Sequence, residues 1–179
     1  MMSELRLLDK TFSPYLNADE IALRVKHLAE DLERDYASRK VLFVSVLNGA
    51  FMFTSDLMKA LDLSLEISFI KVSSFEGMAS TGKVKEIIGL KNSVEGRHVI
   101  VLEDIVDTGT TLLKIDEIFK QKGQQWKIAS LFYKPESYKG SVKVNFVGFE
   151  IPNDFIVGYG LDYQGFGRNL KNVYQLAKA

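Results

Sequence analysis

The sequence predicts an α/β fold: a parallel, twisted sheet flanked by helices. Three observations predict it. Short apolar runs rich in β-branched residues recur along the chain, and "VLFVSVL" (41–47) is apolar almost throughout, as strands buried on both faces are. Segments with helical spacing of apolar residues fall between these runs, the pattern of strand–helix–strand units. The chain has 179 residues, 46% of them apolar and 26% charged, enough for one globular domain with a real core.

The elements follow in order. Residues 1–10, "MMSELRLLDK", alternate in charge and lack the apolar stretch of a secretory signal. Asn17 followed by Glu20 has the form of a capping box. Ile21, Val25, Leu28 and Leu32 then repeat at helical spacing, which predicts a helix to about Tyr36. Strand 41–47 stops at Asn48-Gly49, and "FMFTSDLMKAL" (51–61) reads as a helix. "LEISFIKV" (65–72) is a strand. "SSFEGMASTGK" (73–83), rich in Ser, Gly and Thr, predicts a mobile loop, and 84–90 a strand returning from it. "HVIVLED" (98–104) is a further buried strand. The helix at 110–123 turns Leu112, Ile115, Ile118 and Phe119 inward and stops at Gly123. Strands follow at 127–133, 144–150 and 155–160, and then a polar and aromatic tail. His27 falls on a helix surface and His98 at a strand start.

Composition excludes several functions. Lys plus Arg equals Asp plus Glu, so bulk attraction to nucleic acid or to an anionic membrane has no basis. The absence of cysteine rules out disulfides, thiol nucleophiles and Cys-ligated zinc. No apolar run reaches the roughly 20 residues of a membrane span. The expectation is a soluble, cytoplasmic protein.

The stretch that carries chemistry is "VLEDIVDTGTTL" (101–112). Glu103 and Asp104 stand at the carboxyl end of a strand, where open α/β sheets bind ligands. The turn Thr108-Gly109-Thr110-Thr111 precedes a helix, so its N–H groups and the positive helix terminus face an anion. The turn lacks the Lys of an ATP-binding loop and the spacing of a dinucleotide fingerprint, which leaves a site of monophosphate size. Acids beside a phosphate site make sense when they meet another part of the same ligand. Two adjacent carboxylates accept from a vicinal diol or hold a hard cation, and Asp107 can act as a base. The result is a sugar-phosphate site. The same residues also read as an acidic strand end followed by a Thr-capped helix.

"VLEDIVDTGTTL" resembles the phosphoribosyl pyrophosphate signature of the type I phosphoribosyltransferases, and the resemblance extends in the same order over about residues 38–172. "VSVLNGAFMF" is similar to the pyrophosphate loop, "STGKVK" to the end of the mobile loop, "ASLFYK" to the segment bearing a purine-contacting lysine, and "VGFEIPNDFIVGYGLDYQGFGRNL" to the purine-binding end of the hypoxanthine-guanine branch. The resemblance implies one phosphoribosyltransferase domain over 1–179, with a core over about 38–150. A small purine-binding hood would come from the N-terminal segment and about 151–179. It implies transfer of ribose 5-phosphate from phosphoribosyl pyrophosphate to hypoxanthine, and to guanine as well, in purine salvage. The rival readings are a xanthine- or guanine-preferring relative and a non-catalytic regulator that binds phosphoribosyl pyrophosphate.

Carried over residue by residue, Glu103 and Asp104 hold the ribose hydroxyls and magnesium, and Asp107 is the general base near purine N7. Thr108, Gly109, Thr110 and Thr111 take the 5-phosphate, while Asn48 and Gly49 line the pyrophosphate loop. Lys134 donates to O6, Phe155 stacks on the base, and the Ile156 backbone meets its edge. Asp162 binds a second magnesium, Arg168 meets pyrophosphate, and Ser74 and Phe75 of the mobile loop cover the site. Magnesium is the implied cofactor, and a homodimer or homotetramer the implied assembly. The resemblance also implies a cis peptide bond between Leu47 and Asn48. Two departures stand out: Asn48 where the pattern has Lys, which removes a positive charge near pyrophosphate, and Phe75 where it has Tyr, which keeps an aromatic cover and loses a hydroxyl. Backbone N–H groups of Gly49 and Ala50 are expected to remain for pyrophosphate.

Overall fold

The computed structural model describes residues 2–72, 86–88 and 94–177. In chain order its elements are β1 (Leu5–Leu7), β2 (Lys10–Leu16), α1 (Ala18–Tyr36), β3 (Val41–Val46), α2 (Phe51–Ala60), β4 (Glu66–Val72), β5 (Glu86–Ile88), β6 (His98–Val106), α3 (Thr110–Gln121), β7 (Trp126–Tyr133), β8 (Phe146–Glu150), β9 (Ile156–Val157) and β10 (Val173–Leu176). They form two sheets. The larger has the order β5-β4-β3-β6-β7-β8, and the smaller β1-β2-β10-β9. Five strands of the larger sheet, β4 to β8 in that order, run parallel, and β5 adds an antiparallel edge.

Alternation along the buried strands builds a core on each face. Val41 and Phe43 of β3 pack with Ile21, Val25, Leu28 and Leu32 of α1 and with Phe53 and Leu57 of α2. Leu42, Val44 and Val46 point the other way, to Leu112, Ile115 and Phe119 of α3. Helices on both faces explain why β3 is buried at every position. Ile118 departs from expectation: it is only half-buried, because α3 presents a narrower apolar stripe than the sequence suggests.

The smaller sheet packs on the α1/α2 side, where Ile156, Tyr159, Leu161 and Val173 join the first core. Three of its strands, β1, β2 and β10, fall where the sequence reading assigned none. The strand expected over 155–160 shrinks to Ile156–Val157, because Gly158 to Leu161 form a two-residue turn. Tyr159 at φ 50 and Gly160 at φ 99 give that turn the type I′ form that matches strand twist. A second turn of the same kind, with Gln164 at φ 51 and Gly165 at φ 87, joins Tyr163 to Phe166.

The capping box at α1 is as expected. The Asn17 side chain accepts from Asp19 N at 2.9 Å and Glu20 N at 3.0 Å, and Glu20 Oε2 accepts from Asn17 N at 2.8 Å. Ala18 N also donates to Asn172 Oδ1 at 2.9 Å, which ties the helix start to the strand pair of the smaller sheet. Asn17→Ala removes both side-chain bonds and should lower unfolding free energy by about 1 kcal/mol, read as a lower urea midpoint at unchanged slope.

Candidate active site

β6 runs on to Val106, two residues further than the sequence suggests. Glu103 and Asp104 therefore sit inside the strand and not at its end. Glu103 is 5% exposed and its Oε2 lacks a hydrogen-bond partner among the described residues. Burial, and then the charge of Asp104, push its pKa well above the usual carboxylate range. Asp104 is half-buried, and burial raises its pKa to about 6 despite the Ile105 N–H on Oδ1 at 2.9 Å and the nearby Arg168. Both carboxylates are poorly compensated in this state and would gain from a cation or from hydroxyl donors.

Residues 103–112 line one cavity of about 240 Å³. At its floor Gly109 has φ 92 and serves as the N-cap of α3, so the helix terminus opens directly onto the cavity. Thr108 and Thr110 share a hydroxyl hydrogen bond of 3.1 Å and are exposed to it. A Cβ on Gly109 would come within 2.6 Å of the Tyr138 ring, so the tyrosine backs the turn. Lys139 N donates to Thr108 O at 3.2 Å and fixes the same contact. The sequence reading did not find Tyr138: one aromatic residue in a loop carries no pattern.

Beside the cavity, Lys134 Nζ pairs with Asp107 Oδ2 at 2.7 Å. Lys134 follows β7 and its N–H donates to Val106 O at 3.0 Å, which sets the two side chains together. Lys134 is only 6% exposed, far from the solvated lysine that a single residue would suggest.

Phe155 is 45% exposed, and its ring lies 6.3 Å from Phe12 and 6.0 Å from Tyr163, the latter edge-on. Phe12 and Tyr163 thus prop an exposed aromatic face, and neither was a candidate from sequence. β9 is the end strand of its sheet. Leu176 N donates to Phe155 O, so alternation turns the N–H and C=O of Ile156 to the outer edge.

The Leu47–Asn48 peptide bond is cis, as the resemblance implied. Asn48 is exposed. Ala50 departs from expectation: its N–H donates to Val46 O at 3.3 Å and is committed to closing the turn back onto the end of β3. Gly49 is wedged. A Cβ there would sit 1.6 Å from Asp104 Oδ2, and a Cβ on Gly160 would sit 2.0 Å from Gly49 O. Arg168 donates to Gly160 O at 2.7 Å and pairs with Asp162 at 2.5 Å. The fold thus brings together Gly49, Asp104, Asp162 and Arg168. Ser74 and Phe75, and the loop over 73–83, lie outside the described residues.

The pKa of Asp104 gives a test of this geometry. A carboxyl raised from 3.8 to about 6 favours the protonated folded state. Its contribution is fully present below about pH 4 and is lost as pH rises through about 6. Ligand-free protein should lose about 3 kcal/mol from this group between about pH 4 and pH 7. Asp104→Asn should flatten that part of the profile and be the more stable form at neutral pH, as read by urea unfolding across the range.

Residues 13–164 match the family model of the phosphoribosyl transferase domain. The chain is 41% identical over 170 residues to the hypoxanthine-guanine phosphoribosyltransferase of Streptococcus thermophilus, covering 93% of this chain and 94% of that one. It is 42% identical over 166 residues to the Bacillus subtilis protein of the same name, covering 92% of each. A crystal structure of a hypoxanthine phosphoribosyltransferase from Staphylococcus aureus superposes with a TM-score of 0.85 at 38% identity, covering 92% of this chain and 91% of that one. By sequence over nearly its whole length and by fold, the chain belongs to the phosphoribosyltransferase family, in its hypoxanthine-guanine branch.

Proposed function

We propose that this protein transfers ribose 5-phosphate from phosphoribosyl pyrophosphate to a 6-oxopurine, hypoxanthine first and guanine with it, releasing pyrophosphate and a nucleoside monophosphate. The observation that carries the choice of base is the Lys134–Asp107 pair at 2.7 Å. It presents one donor and one acceptor side by side. A 6-oxopurine offers the complement on one edge: an acceptor at O6 and, in its N7–H form, a donor beside it. Adenine would set an amine against the Lys134 ammonium, donor against donor, in place of the acceptor that O6 offers.

The rest of the site fits the sugar phosphate. The 5-phosphate takes the N–H groups of the 108–111 turn and the positive end of α3. The ribose hydroxyls donate to Glu103 and Asp104, which otherwise hold charge out of water. The purine stacks on Phe155, and Ile156 meets its edge by backbone. As N9 bonds to C1′ and the bond to pyrophosphate breaks, Asp107 takes the N7 proton. Arg168 and Gly49 N–H receive the charge left on pyrophosphate.

Magnesium fits the same residues. Glu103 Oε2 is buried without a partner among the described residues and Asp104 is raised by burial, and this ion binds through one or two carboxylates plus substrate oxygens. Glu103 and Asp104 would hold one ion and Asp162 a second. When bound, magnesium neutralises charge on the diphosphate. In this reading the larger sheet (about 38–150) handles phosphoribosyl pyrophosphate, and the smaller sheet, from the N-terminal segment and 151–179, holds the purine. A cytoplasmic setting and a homodimer or homotetramer belong to the same reading.

Pyrophosphate release from phosphoribosyl pyrophosphate plus hypoxanthine tests the function directly, and its absence with hypoxanthine, guanine and xanthine alike would refute it. Asp107→Asn should lower kcat by at least about 10²-fold with modest change in either KM, the scale of a lost general base. Lys134→Ala should cut the ratio of kcat/KM for hypoxanthine over adenine by about 1.5–3 kcal/mol, the value of a charge-assisted bond. An unchanged ratio would assign the reading of O6 to another group.

A further inference from the structure

Tyr159 takes no part in the chemistry above, yet it is held by more constraints than any neighbour in its turn. Its side chain is 4% exposed and lies in the core shared by α1, α2 and the smaller sheet. Its backbone is left-handed at φ 50, a conformation a non-glycine residue adopts only where surroundings enforce it. Its hydroxyl donates to Asp56 Oδ2 at 2.6 Å. Burial first, and then this bond, push its pKa up, so it remains a donor at any physiological pH. Asp56 is fixed in turn: Lys59 Nζ holds its other oxygen at 2.6 Å.

The bond joins two parts of the site that are distant in sequence. Asp56 lies on α2, the helix that begins directly after the Asn48–Ala50 loop. Tyr159 lies in the Gly158–Leu161 turn, whose Gly160 packs on Gly49 O and whose Gly160 O receives Arg168. Asp162 follows the turn and pairs with Arg168, and both act on Asp104 through their charges.

We propose that Tyr159, through its hydroxyl on Asp56, is a positioning residue for the pyrophosphate side of phosphoribosyl pyrophosphate. The tie presses the Gly158–Leu161 turn onto the pyrophosphate loop, so that Gly49 N–H, Asp162 and Arg168 share one register. Released, the turn still has its ring buried, but Gly160 can lift from Gly49 and carry Asp162 and Arg168 with it. Lys134 lies on another segment, and Phe155, although only β9 separates it from the turn, keeps its place through Leu176 N on its carbonyl and the pairing of β9 with β10. This inference rests on the reading of the site as one for phosphoribosyl pyrophosphate.

Tyr159→Phe removes the hydroxyl and leaves the ring and the Asp56–Lys59 pair. Titration calorimetry with phosphoribosyl pyrophosphate and magnesium should give a Kd raised about tenfold, the scale of one lost bond to a charged group. Steady-state KM for phosphoribosyl pyrophosphate should rise in parallel, with kcat and KM for hypoxanthine held within about twofold. Asp56→Ala should reproduce the effect, and the double variant should add nothing to it, because both remove one interaction. A Tyr159→Phe protein that binds phosphoribosyl pyrophosphate like the wild type overturns the proposal. So does a rise in both KM values with a fall in Tm, which means general loosening, or additive effects of the two variants. A wild type that binds phosphoribosyl pyrophosphate but transfers to no oxopurine sinks the choice of substrate alone, and the calorimetric comparison still decides the tie. A wild type that does not bind phosphoribosyl pyrophosphate overturns both.

Discussion

Two adjacent carboxylates held inside an apolar sheet are the constraint on which the site depends. Glu103 is buried like the apolar residues before it in β6, and its Oε2 meets no donor among the described residues. Burial without a partner penalises the charged form, which is why its pKa is pushed well above the usual range. The fold bears that cost because the strand around it is anchored on both sides, to β3 and to β7. The acids are thereby prepared for ligand groups that supply what the protein withholds: hydroxyl hydrogens and positive charge. Binding then relieves a penalty already present, which turns the cost of burial into selectivity for a polyol carrying cation-bound phosphates.

Close backbone approach is the second requirement, and it follows from the first. Asp104 occupies the space where a side chain on residue 49 would stand, and Gly160 rests on the carbonyl of Gly49. Three segments, from the β3–α2 loop, β6 and the smaller sheet, converge within contact distance only because two of them lack a Cβ there. A larger residue at 49 would collide with the Asp104 carboxylate, and one at 160 would push its turn off the β3–α2 loop.

The sequence made the larger sheet and the phosphate turn legible, since both depend on local patterns: apolar runs, helical spacing, a capping box, and a Thr-Gly-Thr-Thr turn before a helix. It was less informative about the smaller sheet. "KTFSPYL" contains a proline and polar residues, and β2 is a strand because β1 and β10 pair with it, not because of its own periodicity. The extent of β6 was misjudged because Glu103 and Asp104 look like a strand end, whereas cross-strand pairing carries the ladder through to Val106. Asp107 was a candidate from the residues themselves, and Lys134, Phe155 and Arg168 became candidates by family resemblance. The residues that place them, Phe12, Tyr138 and Tyr159, were not candidates, because an isolated aromatic residue has meaning only beside the neighbour that the fold brings to it. Ala50 shows the reverse: a backbone N–H looks available in sequence until the carbonyl at the end of β3 claims it.

The pairing of β2 with β10 has a consequence for the order of assembly. Phe12, at the heart of the aromatic face, is matched in register with Leu176, and Ser13 with Gln175. On a ribosome the strand over 10–16 emerges early and can pair with β1 at once, but it waits through synthesis of the whole parallel sheet before β10 exists. Contacts between distant parts of a chain carry a large closure entropy and form late. The phosphate turn draws its contacts from residues 103–140, so it can take shape on a chain that still lacks any place for a base. The aromatic face around Phe12 matures last, and until then β2, paired with β1 alone, has one open edge that must be kept from the wrong partner.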